Sequence, residues 1–479
     1  MINHMELMIP LKAQAGKPMY EQIYEYIKEE IRKGSLAAGT RLPSTRILAE
    51  HLKISRSTSQ MAYDQLVSEG YIETIPCKGY FVLKIDELVE VEPETKMGFL
   101  VEPEQQEAEL DVDFSPRGID LTSFPYNAWR KVTRATLMDD DKEMFLTGSP
   151  QGEPGLREAI RGYLHSARGV NCTADQIIIG AGSEYLMMLL TQILGTSRTI
   201  AMENPTYRQA YRVFESLGCQ MKPVEMDAHG MNVRLLEESG ADIAYVMPSH
   251  QYPMGVVMPV KRRQELLSWA GRGEKRYLIE DDYDSEFRYR GKPVPALQGM
   301  DIQGKVIYMG TFSKSIAPAI RVGYLVLPAP LLAVYKRKCG FYASTVSRID
   351  QKIIYQFLTE GHYERHLNRM RAIYKGKHDM LMSELKTLGT EFIVQGEYAG
   401  LHVLLKYRKA GMETWLVEEA AKARVGVYGI SGFLIAPLAD QKEKCFSTVV
   451  LGYARLNEDQ IREGIRRLAA AWKCSRPCP

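Results

Sequence analysis

A lysine in the turn Tyr308-Met-Gly-Thr-Phe-Ser-Lys314, with Arg321 seven residues on, carries the most specific chemistry in this 479-residue chain. The apolar run Val306-Ile307-Tyr308 delivers it into a small, hydroxyl-rich turn, as suits an amine meant to form a Schiff base. A lysine desolvated beside another cation loses its proton more readily and becomes a nucleophile toward an aldehyde. Thr311, Ser313 and the Arg321 guanidinium would hold a phosphate nearby, arginine being suited to two-point contact with phosphate oxygens. By itself a Ser-Lys pair in a loop is more often a solvated surface lysine. Its companions decide the matter.

Gly180-Ala-Gly-Ser-Glu184 follows an apolar run and opens a helical pattern, so its backbone N–H groups and the helix dipole would form an anion site. Asn204-Pro-Thr-Tyr207 places an aromatic where it could stack on a flat ring. Ile279-Glu-Asp-Asp-Tyr-Asp284 ends an apolar run in carboxylates, one of which could pair with a protonated pyridine nitrogen and keep such a ring an electron sink.

These motifs need a frame. The runs 176–179, 198–201, 243–246, 276–279 and 305–308 read as buried strands, separated by amphipathic helical segments such as 184–194 and 261–271. That alternation predicts an α/β domain with a largely parallel sheet. In such sheets ligands bind beyond the carboxyl ends of the strands, where each motif falls.

Hydrophobic and charged fractions of 45% and 25% are those of a globular protein of two or three domains. No apolar run approaches the roughly 18 residues of a membrane span, and no signal peptide is evident. Seven cysteines, an odd number, point to a reducing, cytoplasmic setting. Cys474 and Cys478 lack companion histidines, and no metal site is expected. The net charge of +2 conceals an uneven distribution. Residues 1–84 carry eleven Lys/Arg against nine Asp/Glu, whereas residues 85–113 carry eleven Asp/Glu against Lys96 alone. We read a head (1–84), an acidic linker (85–113) and a large domain (114–479). The linker would be an extended tether or a strap docked on the large domain.

In the head, Met19, Ile23, Ile27 and Ile31 mark a helix opening after Pro18. A second helix starts at Ser44, with Leu48, Ala49 and Leu52 inside, and a third runs from about Ser55 to Glu69, with Leu66 and Val67 facing inward. Residues 70–82 read as two strands around a turn. Three helices and a hairpin are the winged helix-turn-helix order, although periodicity alone would equally allow a small helical packing domain. The stretches Gly39-Thr-Arg-Leu-Pro-Ser-Thr-Arg46, Ser55-Arg-Ser-Thr58, Glu69-Gly-Tyr-Ile72 and Gly79-Tyr-Phe-Val82 resemble the GntR family of bacterial winged-helix regulators. The resemblance implies DNA contacts at Arg46, Arg56, Ser57, Thr58, Gln60 and Lys78.

Over residues 114–472 the fixed order of anion loop, tyrosine, aspartate and Ser-x-Lys resembles the fold-type-I pyridoxal-phosphate (PLP) aminotransferases. That resemblance implies a Schiff base from Lys314 to PLP, Asp281 on the ring nitrogen with Asp282 as the alternative, Tyr283 on the ring hydroxyl and Tyr207 stacking. Ser183, Glu184, Ser313 and Arg321 would hold the phosphate. Two departures stand out. Tyr252, in Ser249-His-Gln-Tyr-Pro-Met-Gly255, occupies the place of the family's asparagine, and Val450 that of its carboxylate-binding arginine. Losing that arginine removes a charge-assisted bond of roughly 1.5–3 kcal/mol.

Head and body together resemble the MocR/GabR subfamily of GntR-type transcription regulators. This implies a homodimer on promoter DNA, with PLP or an amine effector sensed at Lys314. The alternative is an active aminotransferase with a vestigial head. Relatives that sense γ-aminobutyrate hold its carboxylate with arginines where this chain has Gln209 and Gly432. The expected effector is therefore PLP itself or an amine lacking that carboxylate, with Arg208 the residue that would still admit an amino acid.

Overall fold

The computed structural model describes residues 7, 9–11, 17–84, 110–138, 142–289, 294–438 and 446–474. The acidic stretch 85–109, Cys478 and the side chain of Cys474 lie outside them. The chain divides into two compact units, residues 1–106 and 107–479.

The first unit contains α1 (Met19–Arg32), α2 (Thr45–Leu52), α3 (Arg56–Ser68), β1 (Ile72–Ile75) and β2 (Gly79–Val82). Ile23, Ile27 and Ile31 of α1, Leu48 of α2, and Ala62, Tyr63 and Leu66 of α3 form its core with Ile72 and Val82. Ser44 and Ser55 cap α2 and α3, accepting the N–H of Ile47 and Thr58. Val67, expected inside, is exposed, because one step along a helix from Leu66 turns the side chain about 100° toward solvent. β1 and β2 pair antiparallel across a turn in which Cys77 takes a left-handed backbone (φ 61°).

The second unit begins earlier than the charge boundary suggested. β3 (Val112–Asp113) pairs with a strand near the chain's far end, Asp111 forms ion pairs with Arg424 (3.0 Å) and Arg467 (2.7 Å), and Val112 is buried. Acidity misled here: these carboxylates are matched by arginines over 300 residues away.

The main sheet has eight strands: β4 (Ile177–Gly180), β5 (Thr199–Asn204), β6 (Gln220–Asp227), β7 (Gly230–Met231), β8 (Ile243–Val246), β9 (Tyr277–Asp282), β10 (Val306–Thr311) and β11 (Gly323–Val326). Their order is β4-β11-β10-β9-β8-β5-β6-β7, and only β11 and β7 run against the rest. Ile279, Ile307 and Met309 pack on one face and Leu278 and Val306 on the other, which is why these strands read as continuous apolar runs. The carboxyl ends of β4, β5, β9 and β10 share one edge. A smaller antiparallel sheet, order β12-β13-β16-β15, follows from β12 (Phe392–Gln395), β13 (His402–Tyr407), β15 (Tyr428–Gly429) and β16 (Thr448–Gly452). β14 (Val425–Gly426) is the partner of β3. Among the described residues no helix is long and apolar enough to cross a membrane, and no group of three or more His, Cys, Asp or Glu is placed to hold a metal ion.

Candidate functional site

The alternation of β9 separates its two aspartates. Side chains of a strand point to opposite faces in turn. Asp282 points to the side of Arg168, pairing with it at 2.8 Å and accepting the Tyr308 hydroxyl at 2.5 Å, all buried. Asp281 takes the other side, where Tyr245 donates a hydrogen bond to it and where it lines a cavity of about 220 Å³. Burial, with Asp282 and Asp284 beside it, pushes the Asp281 carboxyl up to about 7. A cationic partner would restore its charge.

Around the same cavity stand Lys314, Tyr283, Tyr207, Ser183, Glu184, Ser313 and Arg321, together with Pro116, Arg117, Met247 and Tyr252. The phosphate end is built from two special backbones. Gly182, at the start of the helix Gly182–Leu194, has φ 86°, and a Cβ there would lie 2.6 Å from an Arg321 guanidinium nitrogen. Arg321 itself is left-handed (φ 52°), which turns its side chain back toward that helix. It donates to Glu184 at 2.7 Å; burial raises the Glu184 carboxyl, but this bond holds it below its ordinary range. The Thr311 hydroxyl donates to Ser313 Oγ at 2.9 Å and accepts the Ser313 N–H at 3.1 Å, fixing the turn that precedes the lysine.

Lys314 Nζ donates to the carbonyl oxygens of Arg117 (2.7 Å) and Pro116 (3.3 Å). Burial, aided by the Arg117 charge and opposed by Asp284, lowers its amine to about 8. The cation beside the lysine is thus Arg117, which motif reading did not find; its stretch has no periodicity and lies 197 residues away in sequence. Two further groups escaped notice. Tyr245 belongs to a run that reads only as a strand. His250, buried at 2%, has Nδ1 2.9 Å from Asp284 and 3.0 Å from the Tyr283 hydroxyl, so it positions the tyrosine that faces the cavity.

Tyr252 stands edge-on to Tyr207 and Tyr283, each at 5.9 Å, and closes the cavity with aromatic surface where an asparagine would offer an amide. Val450 of β16 is fully buried with Leu404 and Ile430, so that position supplies apolar packing. Arg455 lies apart, paired with Asp113 at 3.3 Å. Gln209, Gly432 and Arg208 line an adjoining chamber.

In the head, Arg46, Arg56, Ser57 and Lys78 are exposed at the starts of α2 and α3 and at the wing turn. Ser57 and Thr58 share a hydroxyl cluster with Ser55, at 2.7 Å each. The Gln60 amide is already engaged by Asp64 (2.7 Å) and the Tyr80 hydroxyl (3.1 Å). Arg41, overlooked in the sequence, bridges to Phe81 and is exposed beside Gly79, adding a cation at the wing.

Residues 19–82 match the bacterial regulatory proteins of the gntR family, and residues 120–468 match aminotransferase class I and II. The chain is 39% identical over 462 residues to the uncharacterized HTH-type transcriptional regulator YdeL of Bacillus subtilis (strain 168), covering 95% of this chain and 97% of that one. It is 30% identical to the probable rhizopine catabolism regulatory protein MocR of Rhizobium meliloti, covering 97% and 96%. This chain belongs to the MocR/GabR subfamily of GntR-type transcription regulators. Among solved structures, the multiple substrate aminotransferase of Thermococcus profundus matches with a TM-score of 0.67 and 25% identity, over 77% of this chain and 92% of that one. A MocR/GabR head is a DNA-binding GntR domain, and the body is a PLP fold. The residues present fit that cofactor: a buried carboxyl on one side of the cavity, a low-pKa amine on another, and a glycine-cleared guanidinium at a helix N-terminus.

Proposed function

We propose that this regulator binds promoter DNA as a cytoplasmic homodimer, and that PLP held at Lys314, alone or with an amine effector, sets the strength of that binding. One observation carries the reading. The residues suited to PLP stand together, while Val450 packs among apolar side chains and offers no charge to a substrate carboxylate.

When bound, PLP supplies an electrophilic aldehyde and a ring that accepts electron density. The chain's own groups do the rest. With its amine lowered to about 8, Lys314 gives up its proton more readily than an ordinary lysine and is available as a nucleophile. Asp281, fixed by the Tyr245 hydroxyl, would keep a proton on the ring nitrogen. The N–H groups at Ser183 and Glu184, the Ser313 hydroxyl and Arg321 would receive the phosphate. Tyr207 would stack on the ring, and Tyr283, steadied by His250, would hold its hydroxyl. Without a β16 arginine, an incoming amine lacks the contact expected there to orient it for proton removal, which favours occupancy over turnover. A ligand that favours one arrangement of the dimer then shifts its DNA affinity by that difference. Arg46, Arg56, Ser57, Thr58, Gln60 and Lys78 are the proposed contacts, Gln60 after releasing its present partners, with the N-terminus of α3 in the major groove and the wing beside it.

Fluorescence anisotropy on a fragment of DNA from upstream of the gene tests this. The PLP-loaded protein and its Lys314→Ala variant should bind with affinities that differ severalfold. Equal affinities, with and without added PLP, would contradict the proposal.

A further inference from the structure

The Lys314 cavity adjoins a larger chamber of about 840 Å³, and the two share Pro116, Arg117, Tyr207 and Tyr252 as walls. Most charges of that chamber are spoken for. Asp113 accepts the Tyr428 hydroxyl at 2.8 Å and pairs with Arg455 at 3.3 Å. Glu413 is buried and accepts the Ser431 N–H at 3.0 Å, while Glu418 is exposed on its helix. Arg208 donates to the Gly432 carbonyl at 3.1 Å. The Arg117 guanidinium, in contrast, makes no hydrogen bond or ion pair with any described residue.

Its backbone is nevertheless held tightly. The Arg117 carbonyl accepts Lys314 Nζ at 2.7 Å, and the next residue, Gly118, packs so close to Arg455 that a Cβ would lie 2.8 Å from it. The guanidinium also acts on both compartments. Burial is the larger influence on Lys314, Tyr207, Tyr252 and Tyr428, and the Arg117 charge lowers the pKa of all four. An unpaired guanidinium on a fixed backbone, in the wall between a reactive amine and a chamber of this size, is suited to two-point contact with an anion.

We propose that Arg117 is the anion receptor of this chamber, and that the effector is a primary amine carrying a carboxylate or sulfonate, held with its amine toward Lys314 and its anion on Arg117. The inference rests on the reading that PLP is held at Lys314. It moves the anion-binding charge from β16, where Val450 stands, to the segment that precedes the main sheet. It also revises the expectation drawn from Gln209 and Gly432, because those positions are not the only ones from which a cation can reach the chamber.

The test uses the full-length, PLP-loaded protein and follows the absorbance of the bound cofactor. The probes are the proteinogenic amino acids, β-alanine, 4-aminobutyrate and 2-aminoethanesulfonate, each beside the amine that lacks its anionic group. At least one anionic amine should shift the band at a concentration roughly ten- to a hundredfold below that of its counterpart. Arg117→Gln should erase that advantage, each anionic amine being compared with its plain counterpart in the same variant so that any change in the Lys314 amine cancels, and Arg117→Lys should restore part of it. Arg208→Gln should cost less, since its guanidinium is already tied to a carbonyl. Plain amines matching every anionic one, or an advantage that survives Arg117→Gln, would overturn the proposal. So would loss of the PLP band in a folded Arg117→Gln protein, which would make Arg117 part of the cofactor site. A wild-type protein without a PLP band, or a band that survives Lys314→Ala, would overturn the cofactor reading beneath it, an outcome distinct from the others.

Discussion

The two compartments that meet at Tyr207 and Tyr252 are built on different plans. In the Lys314 cavity most polar groups already have a partner that fixes them: Tyr245 for Asp281, Glu184 for Arg321, His250 for Tyr283 and backbone carbonyls for Lys314. In the adjoining chamber the walls mix aromatic and small residues with charges of both signs, and the Arg117 guanidinium among them is left open. Preorganisation by surrounding partners suits a permanent guest, because its binding then orders nothing further. An open charge suits a guest that comes and goes. On the proposed reading the contrast separates a cofactor that anchors from an effector that signals, with Val450 supplying apolar packing where a carboxylate-binding arginine was expected.

Removing the anchor should have the largest effect. Lys314→Ala should abolish the PLP absorbance band and any effector response, while circular dichroism and melting show an intact fold. The two aspartates of β9 should then fail in different ways. Asp282→Ala strands the Arg168 charge inside the protein and should cost about 3–5 kcal/mol of stability in denaturant unfolding. Asp281→Ala should leave stability less affected and weaken PLP retention instead. If both variants retain PLP equally, the assignment of faces along β9 is wrong.

In the head, Arg56→Ala should weaken promoter binding by about 1–3 kcal/mol without altering the PLP band, as anisotropy and absorbance on the same sample would report. The smallest effect concerns pH. Because burial lowers the Lys314 amine to about 8, the rate at which PLP-free protein takes up PLP should rise with pH up to about 8 and then level off. A rise that continues past pH 10, as for an ordinary lysine, would remove the claim of a desolvated amine.

Much of this was legible from residues alone. Strands such as Ile243–Val246 stand where the apolar runs put them, because a parallel sheet buried on both faces writes itself as uninterrupted apolar sequence. The phase within β9 was not legible: Glu280, Asp281 and Asp282 are all acidic, so no polar–apolar alternation marks which one faces the cavity. β11 escaped because it is four residues long, runs against its neighbours and begins with the glycine that closes the Arg321 turn. The end of the acidic strip was misjudged because composition cannot reveal that Asp111 meets Arg424 and Arg467. Arg117 and His250 went unread for a related reason. Each gains its role from a partner that only the fold brings near, Lys314 in one case and the Asp284–Tyr283 pair in the other.

Whether the aminotransferase-like body senses an amine without turning it over, as proposed, is tested in one cuvette. PLP-loaded protein and labelled promoter DNA are titrated with the amine that best shifts the cofactor band, while anisotropy and keto-acid formation are read together. DNA affinity should change in step with the band, and no keto acid beyond one equivalent per site should appear. Steady keto-acid release at enzyme-like rates, with DNA affinity unchanged, would contradict the proposal.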